Sequence, residues 1–281
     1  MNNFEFDHDI DIAWCPGCGN FGIRKALLKA LQELGIKPEK TVFVSGIGQA
    51  AKMPQYVDTN FFNGLHGRGL PIAVAVKSVN PELTVIAEGG DGDMYGEGGN
   101  HFLHNIRRNP DITHLVHNNM IYGLTKGQGS PTSMKGLRTT VQVDGVINEP
   151  FNPLAVALSL GATFVARGFS GNMDHLTDLM KAAIMHKGYA LVDIFQPCVS
   201  FNKINNFQWY KENTHQISAE HDPTDFKAAF ELALMNDSYP LGILYNKEGI
   251  PSFEDKTPVY LEDKTPVIHR KRDISNVNAL V

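Results

Sequence analysis

Residues 88–128 read EGGDGDMYGEGGNHFLHNIRRNPDITHLVHNNMIYGLTKGQ, and this stretch decides the fold. It holds Gly90-Asp91-Gly92 and, after 25 intervening residues, Asn118-Asn119. The apolar run Leu83–Ala87 leads into the first and Ile112–Val116 into the second. Such runs read as buried strands of a parallel sheet. Residues 98–108 leave room for a crossover helix between them. The unit therefore delivers one acid and one amide to neighbouring strand carboxyl ends, where open α/β sheets bind ligands. Asp91 and Asn119 are hard oxygen donors suited to Mg²⁺, which keeps few protein ligands and takes the rest from phosphates and water. Gly90 and Gly92 let the backbone approach a diphosphate closely.

Composition sets the bounds. A chain of 281 residues is long enough to bury a full core. A formal charge of −5 argues against a nucleic-acid surface. No apolar run is long enough for a membrane span, and the acidic start MNNFEFDHDIDIAW lacks the layout of a signal peptide. Three cysteines are too few for a disulfide framework, so a cytoplasmic location is expected.

The first motif along the chain is Trp14-Cys15-Pro16-Gly17-Cys18-Gly19-Asn20. A Cys-x-x-Cys turn aims two thiolates at one point, as in a zinc half-site, a redox dithiol or two ligands of an iron–sulfur cluster. No second Cys or His pair follows for zinc, and no strand precedes the motif for a dithiol, so two cluster ligands is the preferred reading. Ile23, Leu27, Leu31 and Leu34 then recur at helical spacing, with Asn20 expected as the cap and Gly35 as the stop. Thr41–Val44 reads as a strand running into the turn Ser45-Gly46-Ile47-Gly48-Gln49-Ala50. His66 and Arg68, in a Leu-His-Gly-Arg loop before a helix at 72–79, are placed to meet a phosphate or carboxylate.

Past Asn119, the Ile121 carbonyl is positioned as a third metal ligand, and Lys126 as a contact for an anionic substrate or a solvated cation. Residues 130–148 show no periodicity, and a loop of that length in a compact domain is usually functional. Helices are expected at 153–160, 175–186 and 226–234, the last capped by Asp222, with strands at 162–166, 190–195 and 240–245. Cys198 follows a strand's carboxyl end, where it can join Cys15 and Cys18. The tail repeats EDKTPV at 254–259 and 262–267 before a basic IHRKRD, and is expected to be an extended arm over 254–281, outside a single domain of residues 1–253.

The spacing of GDG and NN resembles the thiamine diphosphate motif. WCPGCG (14–19), VSGIG (44–48), HGR (66–68), GDGD (90–93), NNMIYGLTKGQ (118–128), PTS (131–133), FNPLAVAL (151–158) and QPC (196–198) narrow this further. Together they are similar to the β subunit of the 2-oxoacid:ferredoxin oxidoreductases, of the 2-oxoglutarate (KorB-like) and pyruvate types, over residues 14–253. The resemblance implies an α/β thiamine diphosphate-binding fold, a mostly parallel sheet with helices on both faces. It implies coenzyme A-dependent oxidative decarboxylation of a 2-oxoacid, with electrons passed to ferredoxin and an α (or α–γ) subunit as partner.

By the same resemblance, Asp91, Asn119 and Ile121 hold Mg²⁺. Ile47, Gly48, Gln49, Ala50, His66, Gly90, Gly92, Asp93, Gly123 and Leu124 hold the cofactor, with His66 and Lys126 nearest the chemistry. Cys15, Cys18 and Cys198 match three of four ligands of a 4Fe–4S cluster. The family reads GIGC where this chain has Gly46-Ile47-Gly48-Gln49, so Gln49 stands at the fourth position. A modified cluster is expected. The alternative is a thiamine diphosphate-dependent decarboxylase, or an oxidase with another electron acceptor.

Overall fold

The strands entering the GDG and NN turns are neighbours in an eight-stranded sheet. The structure is a computed structural model and describes residues 3–271. In chain order its elements are α1 (Asn20–Glu33), β1 (Thr41–Ser45), β2 (Asn60–Asn63), α2 (Gly69–Val79), β3 (Thr84–Gly90), α3 (Gly99–Arg108) and β4 (Ile112–Asn118). Then follow α4 (Pro153–Ser159), β5 (Phe164–Phe169), α5 (Met173–Met185), β6 (Tyr189–Phe195), α6 (Phe207–Asn213), β7 (Thr214–Gln216), α7 (Phe226–Leu234), β8 (Tyr239–Asn246) and α8 (Phe253–Lys256).

The sheet order is β2-β1-β3-β4-β6-β5-β8-β7. Every pairing from β2 to β5 is parallel, and β8 runs antiparallel to β5. Successive residues of a strand point to opposite faces. Here both faces are covered. Ile86, Leu115 and Val192 pack under α1 and α5. Val85, Ala87, Val116 and Leu191 pack under α2, α3, α4 and α7. A strand buried on both faces is mostly apolar, which is why 84–87 and 112–116 read as near-continuous runs rather than alternating ones. Among the described residues, no helix is long and apolar enough to cross a membrane.

Three local expectations are corrected. Asn20 does not cap α1. It is the helix's first residue, and its Oδ1 partners His117 Nδ1 at 2.9 Å. Asp225, not Asp222, caps α7, accepting from the backbone N–H of Lys227 and Ala228. Asp222 instead closes its own turn through the backbone N–H of Thr224 at 2.8 Å. The start of the tail is folded rather than extended. Ser252 and Asp255 form a reciprocal cap on α8, Glu254 accepts from the Asp111 backbone N–H at 3.0 Å, and the buried Tyr260 donates to Ser78 O at 2.8 Å. The folded unit therefore continues past 253. The end of the basic stretch, from 272, lies outside the described residues.

Candidate functional site

Because β1, β3, β4 and β6 are parallel neighbours, the loops after them meet at one end of the sheet. One cleft there is lined by Ile47–Ala50, His66, Gly90–Asp93, Asn119 and Ile121–Thr125. All ten positions expected to hold the cofactor lie along it, together with Asp91. Lys126 is exposed on the turn beyond it, in a left-handed conformation with φ 70°. Arg68 lies outside it, its guanidinium on the backbone carbonyls of Gly67 and Glu97.

Asp91 begins a short π-helical turn over Gly92–Glu97, a rare form that is frequent at functional sites. Gly92 is required by contact: a Cβ there would collide with the Tyr122 ring. The Asp91 carboxyl is 1 % exposed and takes hydroxyl hydrogens at Oδ2 from Ser130 (2.5 Å) and Thr132 (2.6 Å). Burial pushes its pKa up to about 6, although both hydroxyls pull it down. A buried carboxylate without a cation is costly, and a divalent ion removes that cost. The adjoining donors are oxygens too. Asn119 lines the cleft and folds back so that its Oδ1 accepts from the Ile121 N–H at 3.0 Å. These oxygens are of the kind that would hold Mg²⁺ with a diphosphate.

Asn118 faces the other way. Its amide donates to Asp193 at 3.1 Å, while Tyr95 OH donates to the same carboxylate at 2.9 Å and Arg167 Nε lies 3.6 Å away. Asp93 acts as a clamp. Its Oδ1 accepts from the backbone N–H of Ile47 (3.1 Å) and of Gly67 (2.7 Å) and meets His66 Nδ1 at 2.7 Å. The turn after β1 and the loop carrying His66 are thus fastened to the residue two past Asp91. Beneath the cleft, Glu88 and His117 are fully buried with Oε2 and Nε2 3.9 Å apart. Burial keeps both neutral, holding Glu88 well above the carboxylate range and His117 down at about 3.

A second pocket adjoins the cleft and shares Gln49, Asn119 and Gly123 with it. Cys15, Cys18 and Cys198 all line it. Burial pushes Cys18 up to about 11; the neighbouring Cys198 and Cys15 add to the rise, against the Asn20 N–H and the Gln196 amide. A buried thiol held in its protonated form is a poor free nucleophile, and a metal cation favours its thiolate. Among the described residues, no three His, Cys, Asp or Glu form a group able to hold a metal ion. The three cysteines do line one pocket, and sulfur donors are of the kind that hold an iron–sulfur cluster.

Comparison with known proteins decides the family. The family model described as "Thiamine pyrophosphate enzyme, C-terminal TPP binding domain" matches residues 41–194. A second, for the C-terminal part of the pyruvate ferredoxin oxidoreductase beta subunit, matches residues 198–262. A 2-oxoacid:ferredoxin oxidoreductase subunit beta from Saccharolobus solfataricus is 42% identical over 268 residues, covering 89% of this chain and 88% of that one. The chain belongs to the 2-oxoacid:ferredoxin oxidoreductase β-subunit family.

A 2-oxoglutarate oxidoreductase subunit KorB from Mycobacterium tuberculosis is 40% identical to this β chain, covering 85% of it and 65% of the relative. A solved 2-oxoglutarate:ferredoxin oxidoreductase from Magnetococcus marinus, with 2-oxoglutarate, coenzyme A and succinyl-CoA bound, superposes with TM-score 0.91. It is 36% identical and covers 99% of the β chain and 94% of its own. The β chain thus has the thiamine diphosphate-binding α/β fold of an oxidoreductase family. What its sequence did not disclose is the support beneath the cleft: Ser130 and Thr132 on Asp91, and Tyr95, Arg167 and Asp193 around Asn118. The sequence signals near the first pair were the aperiodic loop after Gln128 and the Pro-Thr-Ser of 131–133, neither of which pointed to Asp91.

Proposed function

We propose that the β chain carries the diphosphate-and-metal half of a thiamine diphosphate-dependent 2-oxoacid oxidoreductase. The observation that carries this reading is one wall, Gln49, Asn119 and Gly123, separating the oxygen-lined cleft from the three-cysteine pocket. In the proposal Asp91, Asn119 and the Ile121 carbonyl hold Mg²⁺ on the diphosphate. Asp93 fixes Ile47 and His66 along the same cleft. Cys15, Cys18 and Cys198 hold an iron–sulfur cluster on the far side of the wall. The bound cofactor supplies a carbon nucleophile for the keto carbon of the substrate and a sink for the electrons left when CO₂ departs.

His66 is the side chain of this chain best placed to hold or move a proton at the substrate, with its Nδ1 held by Asp93 and its other nitrogen free for the cleft. Lys126 stands outside the lining, where a carboxylate end of the substrate would meet it. Among the described residues, the cleft's only carboxylates are Asp91 and Asp93, both already engaged. Activation of the cofactor's pyrimidine ring therefore needs a carboxylate from an α (or α–γ) subunit. The substrate class is 2-oxoacids, 2-oxoglutarate first, with the acyl group passing to coenzyme A and electrons to ferredoxin. The solved relative's ligands and the relatives' names support this choice.

The test is reconstitution. The purified β chain should bind thiamine diphosphate with Mg²⁺ yet not decarboxylate 2-oxoglutarate. Adding the α subunit should give CO₂ release that depends on coenzyme A and an electron acceptor. Turnover by the β chain alone would sink the proposal. Turnover with α but without an acceptor would favour a non-oxidative decarboxylase.

A further inference from the structure

We propose that Gln49 Oε1 is the fourth ligand in the three-cysteine pocket, and that the iron it binds is exchangeable. This rests on the cluster reading above and goes one step further, to how the cluster is held.

Three observations converge. Gln49 lines the same pocket as Cys15, Cys18 and Cys198. Its Oε1 is buried and has no hydrogen-bond partner, so a carbonyl acceptor is left uncompensated on the wall that lines this pocket. Its backbone is fixed from the thiolate side, because Trp14 Nε1 donates to Gln49 O at 2.8 Å. Trp14 is itself buried between Phe21 and Tyr56 and precedes Cys15 directly. The residue is therefore held in register with the Cys-x-x-Cys turn.

Two of the three thiols are already attended. Ser200 Oγ lies 3.0 Å from Cys15 Sγ and Gln196 Nε2 lies 3.4 Å from Cys18 Sγ, both as donors that steady a thiolate. Gln49 differs from them in presenting an acceptor, which suits a metal rather than a sulfur. An amide oxygen is a neutral and weaker ligand for iron than thiolate. A cluster with three thiolates and one amide carries one negative charge fewer than a four-thiolate cluster, which raises its reduction potential. Its oxygen-bound corner is also the one that leaves. On mild oxidation a 4Fe–4S(2+) core then gives 3Fe–4S(1+) and Fe²⁺, with one electron passing to the oxidant.

The experiment compares wild type, Q49C, Q49A and C18S, each co-purified anaerobically with its partner subunit and reconstituted with iron and sulfide. Ferricyanide is the oxidant, and the readouts are iron and labile-sulfide content, electron paramagnetic resonance and midpoint potential. Wild type should lose one iron per cluster and show the oxidised three-iron signal, reversed by Fe²⁺ under reduction. Q49C should keep its fourth iron and titrate at a lower potential. Q49A should lose its fourth iron more readily than wild type. If Q49A and Q49C match wild type in iron retention, signal and potential while C18S loses the cluster, Gln49 is no ligand and only this inference fails. Q49A weakening thiamine diphosphate binding with the cluster unchanged overturns it as well, assigning Oε1 to the cleft. If iron is bound by Q49C and not by wild type, the amide does not ligate. Iron and sulfide absent from every variant overturn the cluster reading and this inference together.

Discussion

Thr132 Oγ1 sits 2.6 Å from Asp91 Oδ2 and 2.8 Å from Asn118 Oδ1, one hydroxyl between the acid that faces the cleft and the amide that faces the core. A hydroxyl has one hydrogen to give, and an ionised carboxylate is the stronger acceptor. Thr132 therefore donates to Asp91 when that group is charged. Orienting partners behind a metal ligand are typically worth roughly 10–100-fold in affinity. Thr132→Val is expected to weaken thiamine diphosphate–Mg²⁺ binding about tenfold, read by calorimetric titration of the β chain. Unchanged affinity would show that Ser130 alone suffices.

Asp91 itself separates binding from stability. Burial raises its pKa to about 6, above an ordinary value of 3.8. A raised acid pKa means the fold prefers the protonated form, so ionisation costs stability from about pH 4 upward and the cost is complete above pH 6. At neutral pH that cost is about 3 kcal/mol, from two pKa units. Asp91→Asn removes it. The variant without cofactor should melt at the same or a higher temperature than wild type. Wild type alone should then gain thermal stability when thiamine diphosphate and Mg²⁺ are added. A large loss of stability in the unliganded variant would mean that Asp91 is chiefly structural.

Asp93 is expected to behave in the opposite way. It is 2 % exposed and gathers the N–H groups of Ile47 and Gly67 with His66 Nδ1 on a single oxygen. Asp93→Ala leaves two backbone donors without acceptors, at about 1–3 kcal/mol each. Amide hydrogen exchange should accelerate at residues 46–50 and 64–68 while strands β3 and β4 stay protected. Cofactor affinity should fall with it. Uniform acceleration across the sheet would instead mean global destabilisation.

The parallel sheet was legible because its strands are buried on both faces, so Val85 and Ile86 are both apolar while serving different helices. The same reasoning misses β2, where Asn60–Asn63 is an exposed edge strand with no buried face to mark it. It also misplaces the cap of α7, because Asp222 and Asp225 are the same residue type three apart and only the turn closed by Thr224 distinguishes them. In the site, spacing marked Asp91 and Asn119, which line one cleft, and the Cys-x-x-Cys turn, whose two cysteines line the adjoining pocket with Cys198. Asp193 and Arg167 were not marked, because each is a lone charge inside an apolar strand and acts through a partner from another strand.

His114 offers a pH test away from the cleft. It is fully buried on β4, with Nδ1 2.6 Å from Tyr189 OH and Nε2 unpartnered, and burial pushes its pKa down to about 3. The unfolded chain takes up the proton near pH 6.5 and the folded chain resists it until about pH 3. Its contribution to stability is therefore intact above pH 6.5, and falls by about 1.4 kcal/mol per unit as pH drops through that window. His114→Gln has no such proton to take up and keeps a hydrogen-bonding partner for Tyr189. Urea unfolding at a series of pH values should give a shallower acid limb for the variant, by one proton across pH 4–6. Parallel limbs for the two proteins would mean that the imidazole is protonated in the fold, and that the neutral pairing with Tyr189 is wrong.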